Sequence, residues 1–535
     1  MINCAGYGVG KWRMSWRAGA MAIGLGLGLA AGPASAAVTG DPVRLDSGEV
    51  SGAWRENAAV RAYLGIPFAA PPVGDLRWRP PRPAPAWGGV RAATAVGPQC
   101  PQRPTPRASV GFEVYGAPAQ DEDCLSLNVW APPAAPGVKR PVMVWIYGGS
   151  FDHGGSGYPV YDGARLARRG VVVVSFNYRI GVLGFMAHPE LTAEGGGASG
   201  NYGFLDQAAA LAWVKRNIAA FGGDPSQVTV FGQSAGAGGV YALMAAPQAR
   251  GLFKGAIAES LGLFQMGGLA DGEANGRRIA AALGAGSIAD LRRLPAEQLL
   301  ADGLGAQPIV DGHFLTAPLG ETFARGAQAR VPLLTGWNAD EGTKYPVFPT
   351  PQAFGAVLKA VFGVNAARAA AQFPTSTDAE AVTQSLALTR DVGFAAEIYR
   401  AAQLHARAGA PVYLYHFARR SPFRPDQHVA EIEPATRLGA YHAAEVPYVF
   451  GTLGVLDRDF QPVDRALSER LQSAWVSFAT WGDPNGPPRS PARWPRFQDG
   501  AAQVLHLGDA VRVGAVPNVE RLRFINSVPV RMPGG

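Results

Sequence analysis

Val228-Thr229-Val230-Phe231 runs straight into Gly232-Gln233-Ser234-Ala235-Gly236, and small residues then continue to about Ala246. The first four residues are β-branched or aromatic and read as a short strand, while the small-residue run reads as a helix. Between them lies the pattern G-x-S-x-G, a tight strand-to-helix turn that lifts a serine side chain clear of the backbone. A serine hydroxyl is a poor nucleophile unless it is exposed and paired with a base. The chain holds 69 glycines, so the bare pattern arises easily by chance and Ser234 alone could be an ordinary turn serine. Its position between a strand and a helix is what gives it weight.

On the N-terminal side of this turn, residues 205–221 read as a helix, and Gly222-Gly223-Asp224-Pro225 stops it. Residues 142–147 (VMVWIY) and 171–176 (VVVVSF) are nearly continuous apolar runs, as expected for strands buried on both faces of a parallel sheet. Residues 333–336 and Val412–Phe417 are further strand candidates. Strands alternating with helices predict an α/β fold, a mostly parallel sheet covered by helices. Residues from about 265 to 410 are richer in helical pattern and should pack beside the sheet or over its top. The proline-rich stretch 71–85 reads as a surface run.

With 535 residues, 47% hydrophobic and 17% charged, the chain has material for a large core. No stretch reads as a linker, so we expect one domain over 37–535. Residues 1–36 carry Lys11, Arg13 and Arg17, an apolar stretch over 18–31, and Ala34-Ser35-Ala36. That is the layout of a signal peptide cleaved after Ala36, which predicts export to the periplasm or beyond the cell. Its apolar run falls short of the ~20 residues of a membrane span, and no later segment reads as one. Of the net charge of +7, the leader supplies +3, leaving +4 without any basic stripe. No nucleic-acid partner is expected. Cys100 and Cys124 are the two cysteines left after the leader, and an even pair in an exported protein favours a disulfide over two free thiols.

Acyl transfer also requires donors where a carbonyl oxygen becomes negative. Tyr147-Gly148-Gly149-Ser150-Phe151 follows the 142–147 run directly, and glycines there let backbone N–H groups face a cavity. Taken alone, Gly-Gly could be any strand-ending turn. After a serine turn of this kind the acid comes next in the chain and the histidine last. His313, His405, His416, His428, His442 and His506 all lie downstream of Ser234. Asp311, Asp340, Glu341, Asp426 and Asp483 all sit in turn-like settings, and pattern selects neither acid nor base.

A wider set of segments resembles the type-B carboxylesterase family, relatives of the cholinesterases. Phe221-Gly222-Gly223 through Val228, Val230 and Gly232–Gly236 matches the family's serine signature. Glu122-Asp123-Cys124-Leu125 with Leu127-Asn128-Val129 is similar to its second signature, although Ser126 stands where an aromatic or Thr is usual. Leu64-Gly65-Ile66-Pro67-Phe68-Ala69, Asn177-Tyr178-Arg179 and Gly482-Asp483-Pro484-Asn485-Gly486 fit as well, so the likeness runs from about residue 44 past 497. It implies an α/β-hydrolase fold with helical insertions over the active site. Gly336-x-Asn338-x-Asp340-Glu341-Gly342 resembles the family's acid motif, which implies Glu341. Tyr441-His442-Ala443-Ala444-Glu445 resembles the segment of the base, which implies His442. The resemblance further implies oxyanion donors at Gly149, Ser150 and Ala235, and a Cys100–Cys124 disulfide near the mouth of the site.

The implied activity is hydrolysis of small to medium apolar or aromatic esters through an acyl-enzyme, without metal or cofactor. An amidase or peptidase with the same residues, or a non-catalytic binding module, are the competing readings. Four departures stand out. Ser150 replaces the family's third glycine, and Gln233 stands where many members carry glutamate. No tryptophan lies between Cys100 and Cys124 to hold a choline cation. Glu259-Ser260-Leu261-Gly262 departs from the family's Ser-Gly-Ser and leaves the support of Glu341 open.

Overall fold

The computed structural model describes residues 41–531 apart from 105–109, 111–118, 134–136, 344, 431 and 487–492. The expected leader therefore lies outside the described residues. Gly40–Gly535 forms one compact unit by itself.

Its centre is an 11-stranded sheet. Numbered along the chain, the strands are β1 (Ala53–Arg55), β2 (Val60–Pro67), β3 (Ser126–Ala131), β4 (Arg140–Ile146), β5 (Val172–Phe176) and β6 (Gly223–Gln233). They continue with β7 (Gly255–Glu259), β8 (Leu333–Asn338), β9 (Val412–Phe417), β10 (Gln503–Leu507) and β11 (Val511–Ala515). The spatial order is β1-β2-β3-β5-β4-β6-β7-β8-β9-β10-β11. From β5 to β10 every neighbour is parallel. The pairings β1–β2, β2–β3, β3–β5 and β10–β11 are antiparallel.

The apolar runs read from sequence are the middle of this sheet. All of β5 and the last five residues of β4 are buried, so both faces are covered. The helices that cover it include α1 (Tyr202–Asn217), α2 (Ala235–Ala245), α3 (Pro351–Phe362), α4 (Ala366–Gln372), α5 (Asp378–Arg390), α6 (Ala396–Arg407) and α7 (Pro462–Trp481). Gly222 ends the segment after α1 with φ +78°, as the stop signal predicts. The strand after it begins earlier than expected, because Gly223 already pairs with Arg140 before an irregularity at Val142 and Val228.

One expectation needs correction. By length and composition, the helical stretch Pro351–Gln372 reaches the range of a membrane span, with mean hydropathy 1.2. It is broken at Gly363, where φ is +54°, into α3 and α4. Phe354, Leu358, Val361 and Phe362 pack one side of α3 into the core.

Strand register decides which residues meet at the sheet's edge. Ile146 is paired with Gly232, Gln233 with Glu259, and Glu259 with Gly336. The carboxyl ends of β4, β6, β7 and β8 thus finish level, at the edge where open α/β sheets hold their ligands.

Candidate active site

Ser234 caps α2 at the end of β6, with φ +56° and ψ −126°. Side chains with a Cβ rarely adopt that backbone, so the surroundings must impose it. The Ser234 N–H donates to the Glu259 carbonyl at 2.8 Å, and its carbonyl accepts from the Gly238 N–H at 3.0 Å. The flanking glycines are there for closeness: a Cβ on Gly236 would stand 2.0 Å from the Ile146 carbonyl oxygen, and one on Gly232 2.7 Å from it. The serine turn is thereby clamped against the end of β4.

Beyond β4 the chain passes over this turn. Gly149, at φ +117°, folds so that its carbonyl accepts from the N–H groups of Asp152 and His153, both at 3.0 Å. Ser150 and Phe151 come next, with φ +53° and +61°. Among the described residues, no acceptor is paired with the main-chain N–H of Gly149, Ser150 or Ala235. Gly148, Gly149, Ser150, Gln233, Ser234 and His442 all line one open hollow.

The acid and base segments are stitched to each other. Asp340 and Tyr441 form an isolated parallel bridge. The Asp340 carboxylate accepts from the Ala440 N–H at 2.8 Å, and the Asn338 amide donates to the Tyr441 carbonyl at 2.7 Å. One residue further along each segment, Glu341 Oε2 lies 2.5 Å from His442 Nδ1. Glu341 is fully buried, and its Oε1 accepts from the Asn338 N–H at 2.8 Å. With Nδ1–H given to the carboxylate, the lone pair of the neutral imidazole sits on Nε2. The Gln233 amide nitrogen is 3.2 Å from that Nε2. The Phe394 ring packs on the imidazole at 4.9 Å between centroids, carried by a π-helical turn, Asp391–Ala395, between α5 and α6.

The remaining candidates are engaged elsewhere. Gln248 partners His313, Gln328 partners His405, and His416 faces His506 between β9 and β10. His428 pairs with Glu433 on the surface. Asp311 accepts from the His313 and Leu315 N–H groups, Asp426 pairs with Arg424, and Asp483 holds Asn485. Cys100 and Cys124 are joined as a disulfide.

Beneath the Glu341–His442 contact lie two buried carboxyls that sequence pattern did not single out. Glu445 accepts from the Ser260 hydroxyl at 3.3 Å and from the Asn338 amide. Burial, and then the charge of Glu341, push its carboxyl up to about 8. Glu259 accepts from the Trp475 indole N–H at 2.7 Å. Burial, and then Glu445, push Glu259 well above the ordinary carboxyl range. The altered segment after β7 therefore leaves Glu341 supported by Asn338, while Ser260 serves Glu445. An acid closing the otherwise apolar run Gly255–Glu259 was the signal in the sequence.

Comparison with known proteins agrees with this architecture. Residues 40–525 match the model of the carboxylesterase family. A fumonisin B1 esterase of Sphingopyxis macrogoltabida is 38% identical over 90% of this chain and 89% of its own. A para-nitrobenzyl esterase of Bacillus subtilis (strain 168) is 35% identical over 90% of this chain and 97% of its own. A solved PNB esterase superposes with TM-score 0.78 at 35% identity, covering 90% of this chain and 99% of that one. A thermophilic PNB esterase does so with TM-score 0.78 at 34% identity, over the same shares. The chain belongs to the carboxylesterase family and has the α/β-hydrolase fold. It is a serine carboxylic-ester hydrolase acting on small-molecule esters.

Proposed function

We propose that Ser234 is the nucleophile, His442 the general base and acid, and Glu341 the group that orients and charge-stabilises the imidazole. The Glu341–His442 contact, 2.5 Å long and at the same hollow as Ser234, carries the assignment. In the first half-reaction His442 Nε2 takes the Ser234 proton as the hydroxyl oxygen attacks the ester carbonyl. The N–H groups of Gly149, Ser150 and Ala235 receive the developing oxyanion. The alcohol leaves with the proton from His442, and water then repeats the sequence on the acyl-enzyme.

The preferred esters are small to medium and apolar or aromatic. Phe151, Leu261 and Phe264 crowd Gly238 in the first turn after the nucleophile, giving an apolar wall. Tyr158, Tyr161 and Tyr345 line the hollow, and the name of the Bacillus relative points to an aromatic alcohol. We include export in the reading: residues 1–36 act as a cleaved leader, and the Cys100–Cys124 disulfide suits an oxidising compartment.

The test is an acyl-chain and amide panel with Ser234→Ala as control, alongside labelling by a fluorophosphonate probe. Wild type should be labelled and Ser234→Ala blank, with turnover lowered by about 10⁴-fold or more. Activity should fall in acid as the imidazole takes up a proton. A rate flat down to about pH 4 overturns the role of His442.

A further inference from the structure

Gln233 immediately precedes the nucleophile, is 4% exposed, and places its amide nitrogen 3.2 Å from Nε2 of a histidine that is itself 4% exposed. The geometry has a direction. His442 Nδ1 faces the Glu341 carboxylate and is the donor there, so Nε2 can only accept while the ring is neutral. Gln233 must therefore donate its N–H to Nε2. Its other end agrees: the amide oxygen lies on the Gly148 side, 3.0 Å from where a Cβ on Gly148 would stand. Gly148 leaves the room in which that amide fits.

We propose that Gln233 is a positioning residue whose amide N–H occupies Nε2 of His442 between turnovers, favouring the uncharged base and extending activity further into acid. The inference rests on His442 being the base, as proposed above. A donor aimed at the lone pair stabilises the neutral ring only. Once protonated, Nε2 becomes a donor and confronts the Gln233 NH₂ group across the same 3.2 Å. The Gln233–Nε2 hydrogen bond exists only with the neutral ring and is lost on protonation, so the imidazolium is disfavoured. During acyl transfer the same nitrogen must receive the Ser234 proton, so Gln233 releases it as the ester enters.

Other groups act on the same ring. Glu341 faces Nδ1, and Glu445 lies beneath on the same segment. Asp340 bridges the neighbouring residue, and Arg390 with Asp391 adjoin the turn that carries Phe394. His153, Tyr158, Tyr161 and Tyr345 share the hollow, while Lys344 lies outside the described residues. Among the described residues lining the hollow none is a carboxylate, so Gln233→Glu would introduce the first negative charge beside Nε2.

The experiment is the pH profile of kcat/KM for hydrolysis of a neutral aryl acetate by wild type, Gln233→Glu and Gln233→Leu. Gln233→Glu replaces the donor by an acceptor of nearly the same shape and should move the acid limb to higher pH by about one unit or more. That corresponds to roughly tenfold lower kcat/KM at a fixed pH below the limb. Gln233→Leu removes the donor without adding charge and should move the limb in the same direction by less. A limb that stays in place in Gln233→Glu, or moves to lower pH, overturns the inference even if the plateau rate changes. If Gln233→Leu fails to fold, the near-isosteric Gln233→Glu carries the test alone. A wild-type enzyme with no acid limb would instead remove His442 as the base, which is a separate failure.

Discussion

Ser234 is held at a positive φ because the Glu259 carbonyl takes its N–H and the two flanking glycines let α2 press against β4. Such backbone states store on the order of 1–3 kcal/mol. Ser234→Gly should release part of it and raise the free energy of unfolding by about 1 kcal/mol, net of the extra chain entropy glycine gains when unfolded. Denaturant unfolding of the inactive variant measures this, and a loss of stability would mean that the turn is not strained. The proposed nucleophile was legible in the sequence, since turn, strand and helix are all local. The proposed base was not. His442 meets Glu341 across 101 residues, and nothing near either residue encodes that distance. Only the likeness to a family's motifs singled them out. Glu259 and Glu445 were harder still, because their partners Trp475 and Asn338 lie 216 and 107 residues away in the chain.

Among the strands, the level ends of β7 and β8, with the Asp340–Tyr441 bridge, bring Glu259, Glu341 and Glu445 together. Glu445 titrates near 8 and Glu259 well above the ordinary range, chiefly through burial. A raised carboxyl in the folded state binds its proton more tightly than in the unfolded chain, so it favours folding when protonated. That contribution is complete in acid and is lost as the pH climbs from the ordinary carboxyl range through about 8. The thermal midpoint should therefore fall between about pH 5 and pH 8, and Glu259→Gln should make the fall shallower. An equally steep fall in that variant would show that Glu259 does not take part. Burial also explains which strands the sequence revealed. The central parallel strands are continuous apolar runs, whereas β2 is interrupted by Arg61, paired with Asp41, and β11 is mostly exposed, so both lack that pattern. The run 71–85 is largely at the surface, yet Arg77 and Trp78 turn inward. Arg77 binds the carbonyls of Leu291 and Leu294 at 3.0 and 2.8 Å, partners that a proline-rich stretch gives no hint of.

Over the full length of the protein, the proposed export and the disulfide belong together, since an oxidising compartment favours the Cys100–Cys124 bond. Chain purified from the compartment of destination should begin at Ala37, which N-terminal sequencing reads directly; an intact Met1 there would refute the leader. The order of the parts along the chain has its own consequence. Everything contributed by β4 and β6, namely Gly149, Ser150 and Ser234, precedes the exposed turn at 301–303, and everything stitched by the Asp340–Tyr441 bridge comes after it. A polypeptide severed at that turn would yield two fragments, one bearing the proposed attacking group with Gly149 and Ser150, the other the proposed proton relay. Each would be silent alone, and signal would return on reassociation, which makes this scaffold a candidate for a complementation reporter.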